Sequence, residues 1–363
     1  MKLVVFGLTI TSAWGNGHAT LWRGLCKALA RLGHHVVFFE RDVPYYAQAR
    51  DAEAGDHCKL ILYDAWSHGH AHRELADADA AIVTSYCPDA AGAHAAILAA
   101  RRPLCVFYDM DTPVTLAALK LGACPDYIAR NGLSEYDLVL SYTGGAALHE
   151  LRDLLGARRV RALHGHVDPD VHRPAPVDVR YRADLSWLGT YAADRQAVLD
   201  ELFLEPARQR PQSKFLIAGA QYPPDYAWSE NVYFVRHLPP QEHSAFMASS
   251  RLTLNATRQA MAECGWCPSG RLFEAAACGA TILSDRWRGI EAFYTPGEEI
   301  LIAYDADDTL AALELDDATL KRIGSAARER TLCEHTAAHR ATELISHLED
   351  AARRQPEAVA CGA

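Results

Sequence analysis

Two stretches of the 363-residue chain put reactive side chains next to glycines that would let a ligand come close. The first, TSAWGNGHAT, sets Gly15, Asn16, Gly17 and His18 between an apolar run and a helical pattern. Glycines there admit a ligand to the backbone, and the start of the helix offers free N–H groups to an anion. His18 adds a titratable ring able to serve as a general base. The second stretch, ECGWCPSGRLFEAAACGAT from Glu263 to Thr281, offers two chemistries. Its C-x-x-C, Cys264 and Cys267, has a redox spacing, while the turn and helix start that follow suit an anion.

The redox reading needs the cysteine pair at the start of a helix directly after a strand. Here the helix begins after the second cysteine, and one pair does not complete a four-ligand zinc site. Both cysteines therefore read as loop thiols. In the anion reading Ser269 caps a helix GRLFEAAAC that ends at Gly279 and leads into a strand, ATILSD. Arg271 lies in the first turn, against the helix dipole, a mismatch that a nearby anion would relieve. Glu274, one turn on, can accept two hydroxyl hydrogen bonds, as from a ribose. The GNGH loop is a poor dinucleotide fingerprint, because Thr20 stands where the third glycine belongs. No isolated acidic residue clearly plays the ribose partner, although Glu40 ends the next strand.

Further candidates for a base are Asp109 and Asp111 in YDMDTP, which follow a strand-like run. For Asp111, helix capping and proton transfer weigh evenly; for Asp109, capping weighs more. The histidine run SHGHAH, Ser67 to His72, lacks metal partners and reads as a solvated loop.

These residues need a frame. KLVVFGL, a glycine loop, ATLWRGLCKALARLG and HHVVFFE form strand, loop, helix and strand, a βαβ unit of a parallel sheet. DAAIVTSY, PLCVFYDM and YDLVLSYT continue the series. The segment HGHVDPDVHRPAPVDVRYRA, with its prolines and no periodicity, reads as a linker. A second alternating series follows, with strands ADLSWLGT, SKFLIAGA, NVYFVRH, RLTLNAT and ATILSD. The expected division is a Rossmann-like domain over 1–172 and a second over 173–335, with a terminal helix over 336–354 and a frayed tail over 355–363. Two such domains carry their loops at the carboxyl ends of the strands, facing a common cleft.

The net charge of −10 argues against a nucleic-acid backbone or an anionic membrane as main partner. No apolar run has the length of a membrane span, and the apolar start reads as a strand rather than a signal peptide. Ten cysteines without dense spacing suit a reducing, cytoplasmic compartment.

PSGRLFEAAACGATILSD resembles the donor-site segment of group-1-type glycosyltransferases, and more closely that of their CgeB-type branch. GLTITSAWGNGHAT, FYDMDTPVT, HGHVDPDVHRP and WLGTYAADRQ agree in order along the chain, so the resemblance runs from the first strand to about residue 340. It implies a GT-B architecture, a nucleotide sugar held mainly by the second domain, no cofactor and no obligatory metal. It also implies a last helix that returns to the first domain.

Carried over, Glu274 matches the glutamate that holds the ribose, and the backbone from Trp266 through Ser269 to Gly270 matches the loop around diphosphate and sugar. Arg195 falls where the family places a cation for the diphosphate, with Arg258 and Arg271 as further cations, and His237 falls where the base or donor is touched. The Gly15–Gly17 loop and His18 would shape the acceptor or sugar side. The linker segment VDPDVHRP reads as structural. One departure concerns the family's second glutamate: Trp266 stands in its place and Glu263 lies three residues too early.

The resemblance implies sugar transfer from a nucleoside diphosphate to an acceptor that is a glycan, a protein or a small molecule. Alternatives are an epimerase or hydrolase of sugar nucleotides, or a non-catalytic nucleotide- or glycan-binding module, which the missing glutamate would suit.

Overall fold

The computed structural model describes residues 1–52, 57–100, 102–224, 226, 228–236 and 238–353. They form two compact units, one of residues 1–164 with the final helix and one of residues 165–336. The division thus falls between His164 and Gly165, ahead of the boundary expected at 172, so the proline-rich segment from Gly165 on belongs to the second unit.

The first unit holds seven parallel strands: β1 (Lys2–Phe6), β2 (His35–Arg41), β3 (Lys59–Tyr63), β4 (Ala80–Thr84), β5 (Leu104–Asp109), β6 (Leu138–Ser141) and β7 (Val160–Ala162). Their order is β3-β2-β1-β4-β5-β6-β7, with Leu3 opposite Val36 on one side and Ala80 on the other. Val4, Phe6, Ile82 and Phe107 are buried, as strands covered on both faces require. The helix His18–Arg31 buries Trp22, Leu25, Cys26 and Leu29, one stripe of the 3.6-residue period. Trp22 meets Phe38 and Tyr108 edge-on. The helix stops at Gly33, whose φ of +79° lets His34 N–H bond back to Leu29 O at 3.0 Å.

The second unit holds six parallel strands: β8 (Ala183–Leu188), β9 (Phe215–Ala218), β10 (Val232–Val235), β11 (Ser250–Asn255), β12 (Ile282–Asp285) and β13 (Leu301–Ala303). Their order, β10-β9-β8-β11-β12-β13, repeats that of the first sheet. One face packs Trp187, Phe203, Phe215 and Leu252; the other packs Phe246, Leu272, Phe273 and Tyr294. Truncating a fully buried aromatic such as Phe273 to alanine would cost ~3–5 kcal/mol.

Two helices close the described chain, Asp317–Glu334 and Ala337–Arg353, separated at His335 and Thr336. The second of them packs on the helix His18–Arg31, and its Arg340 Nε donates to His164 O at 3.2 Å. The histidine run is not the expected loop but a helix, His68–Leu75, because Ser67 caps it by accepting from His70 N–H. Among the described residues, no helix is long and apolar enough to cross a membrane.

Candidate active site

In each sheet the strand order reverses beside the first strand, between β1 and β4 and between β8 and β11, and the chemistry-bearing residues collect on the loops there.

In the first unit the loop after β1 is fixed by Glu40, buried near the end of β2. Its carboxylate accepts from Thr9 Oγ1 at 3.0 Å, Thr11 Oγ1 at 2.6 Å, and the amides of Ile10 and Thr11 at 2.7 and 3.1 Å. Glu40 is therefore occupied as a loop anchor. Gly15 takes a φ of +68°, and Asn16 uses both ends of its amide locally. Its Nδ2 donates to the carbonyls of Ser12 and Trp14, and its Oδ1 accepts from Ala19 N–H. Asn16 thus holds the helix start, while a Cβ built on Gly17 would meet no atom within 4 Å.

That helix start delivers His18, buried, with Nε2 2.8 Å from Asp111 Oδ2. Asp111 Oδ2 also accepts from Ser85 Oγ at 2.7 Å, and Ser85 Oγ in turn accepts from Met110 N–H at 3.0 Å. Asp111 sits at the N-cap position of the helix Thr112–Lys120, yet its side chain makes no capping bond. The local turn is made instead by Asp109, whose Oδ1 accepts from Asp111 N–H and Thr115 Oγ1. Asp109 is fully buried, and its Oδ2 has no partner among the described residues. Burial, with the Asp111 charge behind it, pushes the Asp109 carboxyl up to about 7. Accepting on Asp111 fixes the His18 proton on Nε2 and leaves a lone pair on Nδ1, which has no partner among the described residues. Tyr86, with an uncommon φ of +57°, stands edge-on to the His18 ring at 6.3 Å.

In the second unit the helix Gly270–Ala277 starts at Ser269 as expected, but the Ser269 hydroxyl does not cap it. It donates to Asn255 Oδ1 at 2.8 Å, and Asn255 Nδ2 donates to Ser284 Oγ at 2.9 Å, which joins the helix start to the ends of β11 and β12. A Cβ on Gly270 would meet nothing within 4 Å, so this helix start is open as well.

Arg271 is not left facing its helix dipole alone, since its Nη1 donates to Glu274 Oε2 at 2.7 Å. Burial pushes the Glu274 carboxyl up, but Arg271, His172 and His243 outweigh it and hold the group at about 2. The two imidazoles shift the other way. Burial and then Arg271 bring His243 down to about 3, and burial lowers His172.

Arg195 lies after β8 with its guanidinium 5.4 Å over the Trp187 ring. Its Nε is buried without a partner among the described residues. Burial first, then the nearby charge of Arg258, lowers its pKa. Arg258 is itself paired with Asp194 at 3.0 Å and half exposed. Trp266 takes a φ of +44°, costing about 1–3 kcal/mol for a bulky side chain. It is pinned by its N–H to Arg288 O at 2.7 Å and by Gly289, where a Cβ would lie 2.6 Å from the indole. Glu263 is exposed and accepts from Gln259 Nε2, one turn earlier. His237 lies outside the described residues. Cys264 and Cys267 form no disulfide.

The structure thus joins His18 to Asp111, and Arg271 to Glu274. Four residues escaped the sequence reading. Ser85 carries no motif, and Trp187 opens the WLGTYAADRQ segment without having been given a role there. His172 sat in a segment read as linker, and His243 in an unremarkable helix.

A glycosyl transferase-like family model matches residues 195–346, somewhat less than half of the chain. Sucrose-phosphate synthase from Thermosynechococcus elongatus is similar in structure, with a TM-score of 0.71 at 14% identity over 98% of this chain and 100% of that one. Anabaena Alr3699/HepE, solved with UDP and glucose, superposes with a TM-score of 0.68 at 13% identity, over 96% of this chain and 100% of its own. The α,α-trehalose 6-phosphate synthase of Burkholderia multivorans gives 0.63 at 12% identity, over 97% and 99%. No curated protein sequence matches the chain. Identities this low speak to architecture, and the architecture is GT-B: two Rossmann-like parallel-sheet domains.

Proposed function

We propose that the protein is a glycosyltransferase of the CgeB-type branch, moving a sugar from a nucleoside diphosphate donor to an acceptor hydroxyl without a metal. The observation that carries this reading is Arg195, a guanidinium laid on Trp187 whose buried Nε has no partner among the described residues, with Arg258 and Arg271 acting on it. Positive charge gathered in the unit that carries an open helix start suits a diphosphate, because the leaving nucleoside diphosphate gains charge in the transition state. Glu274, ionised, would accept the ribose hydroxyls, and Ser269 and Gly270 would offer the helix start. The family-model match over residues 195–346 supports the same assignment.

On the acceptor side His18 is the base. Its Nε2–H donates to Asp111, so Nδ1 takes the proton of the attacking hydroxyl while Asp111 steadies the imidazolium that forms. The oxygen attacks the anomeric carbon, the bond to the diphosphate breaks, and the electron pair leaves with the phosphate. Attack of this kind inverts the anomeric centre.

Thermal stability against a panel of nucleoside diphosphates and nucleotide sugars in EDTA tests the donor half. A selective rise in Tm with one diphosphate is expected, worth ~2.7 kcal/mol at a hundredfold excess over Kd. No rise with any of them, or the same rise in Arg195→Ala, would sink the assignment. NMR of the product's anomeric configuration tests the base, and incubation without acceptor separates transfer from hydrolysis or epimerisation.

A further inference from the structure

We infer that His172, His243 and Glu274 form a binding site for a divalent transition-metal ion such as zinc, which Arg271 occupies with its own charge when no metal is bound. Three elements supply the ligands: the proline-rich segment, the helix His243–Ser249 and the helix Gly270–Ala277. One ligand atom from each lies within 4.8 Å of the others. Two imidazoles and a carboxylate make up a set that zinc uses, with a fourth position left to solvent.

Two features of the cluster indicate that a cation belongs there. His172 is buried, its Nδ1 has no partner among the described residues, and its Nε2 stands 3.9 Å from Glu274 Oε2, beyond hydrogen-bond reach. A buried ring nitrogen without a partner is costly unless something else fills the space. The second feature is Arg271. Its Nη1 lies 2.7 Å from Glu274 Oε2 and 3.3 Å from His243 Nδ1, so one N–H group faces two of the three ligands. The Arg271 side chain keeps 29% of its surface exposed and can swing out to solvent, whereas the His172 side chain keeps 5% and Glu274 13%. A metal would replace a movable charge inside a fixed cage.

The site needs no donor and is not proposed for catalysis. Its coupling to the donor rests on the ribose role of Glu274 proposed above: if that carboxylate holds the ribose, metal and nucleoside diphosphate exclude each other.

The test titrates zinc into the full chain, with cobalt as the spectroscopic probe. One site is expected, with the visible bands of a nitrogen- and oxygen-ligated cobalt and no thiolate charge-transfer band. Affinity should fall roughly tenfold or more in His243→Ala and in His172→Gln. It should rise in Arg271→Gln, which removes the competing charge; a merely structural cluster would not tighten. Thermal melting of each metal-free variant reports whether it folds. Unchanged affinity in all three variants would overturn the proposal. So would loss of the site on substituting His68 and His72, which would put the metal on the helix His68–Leu75. If the three variants behave as expected and zinc and UDP still bind independently, the metal site stands and the ribose assignment of Glu274 fails.

Discussion

The two sites hold their acids in opposite ways. In the first, Glu40, Asp109 and Asp111 are held by hydroxyls and backbone amides, with His18 as a basic partner. In the second, Glu274 is held by Arg271, with His172 and His243 beside it. Neutral donors leave a buried carboxyl free to keep a proton, and Asp109 is pushed up to about 7. An adjacent guanidinium takes that freedom away, and Glu274 is held at about 2. One repeated sheet order thus frames two sites, one suited to handling protons and one to handling fixed charge.

The largest expected effect breaks the first site. His18→Ala should lower kcat by about 10²–10⁴, the usual reach of general acid–base catalysis, while the donor-induced rise in Tm stays unchanged. If kcat survives, the proton-handling half of the contrast is lost. Arg195→Ala should do the converse, weakening the donor by roughly 10–100-fold, as expected for hydrogen bonds to a charged group. The same variant should melt no lower than wild type without ligand, since it removes a buried charge whose Nε has no partner among the described residues.

Two smaller effects sharpen the comparison through pH. The Asp109 carboxyl, raised from 3.8 to about 7, binds a proton in the folded state that the unfolded chain has released. Stability should therefore fall as pH climbs from 4 to 7, and Asp109→Asn should flatten that slope in urea unfolding. Glu274, lowered from 4.5 to about 2, has the opposite sign. Its contribution is full above 4.5 and is lost as pH falls through 2, and Glu274→Gln should remove that acid-side loss. Either span corresponds to a few kcal/mol, on the order of 3–5. A change of slope with the same sign in both variants would contradict the contrast.

Periodicity made the frame legible. The apolar runs and the helical stripe ending at Gly33 predict β1, the helix His18–Arg31 and β2, and all three are present. Ser269 was readable as a helix start, but not the destination of its hydroxyl, which depends on Asn255 at the end of a different strand. Asp111 reads equally as cap or site, because the local sequence DTP suits both. Its partner His18 lies 93 positions away, and only the sheet order brings β1 and β5 close enough for the bond. What separates the terminal helix from the helix Asp317–Glu334, at His335 and Thr336, is a tertiary contact. There Thr336 pairs with Val167 instead of continuing the helix.

By itself the chain's sequence determined two parallel α/β units, the helix starts that hold His18 and Gly270, and the kinds of side chain available there. These are local matters of period, glycine placement and residue type. Only the tertiary structure decided which charges meet. It set Arg271 on Glu274, laid Arg195 over Trp187 with its Nε lacking a partner among the described residues, and drew His172 out of an apparent linker to the side of His243. The reason is physical: burial and proximity set a group's charge, and both depend on residues far apart in the chain.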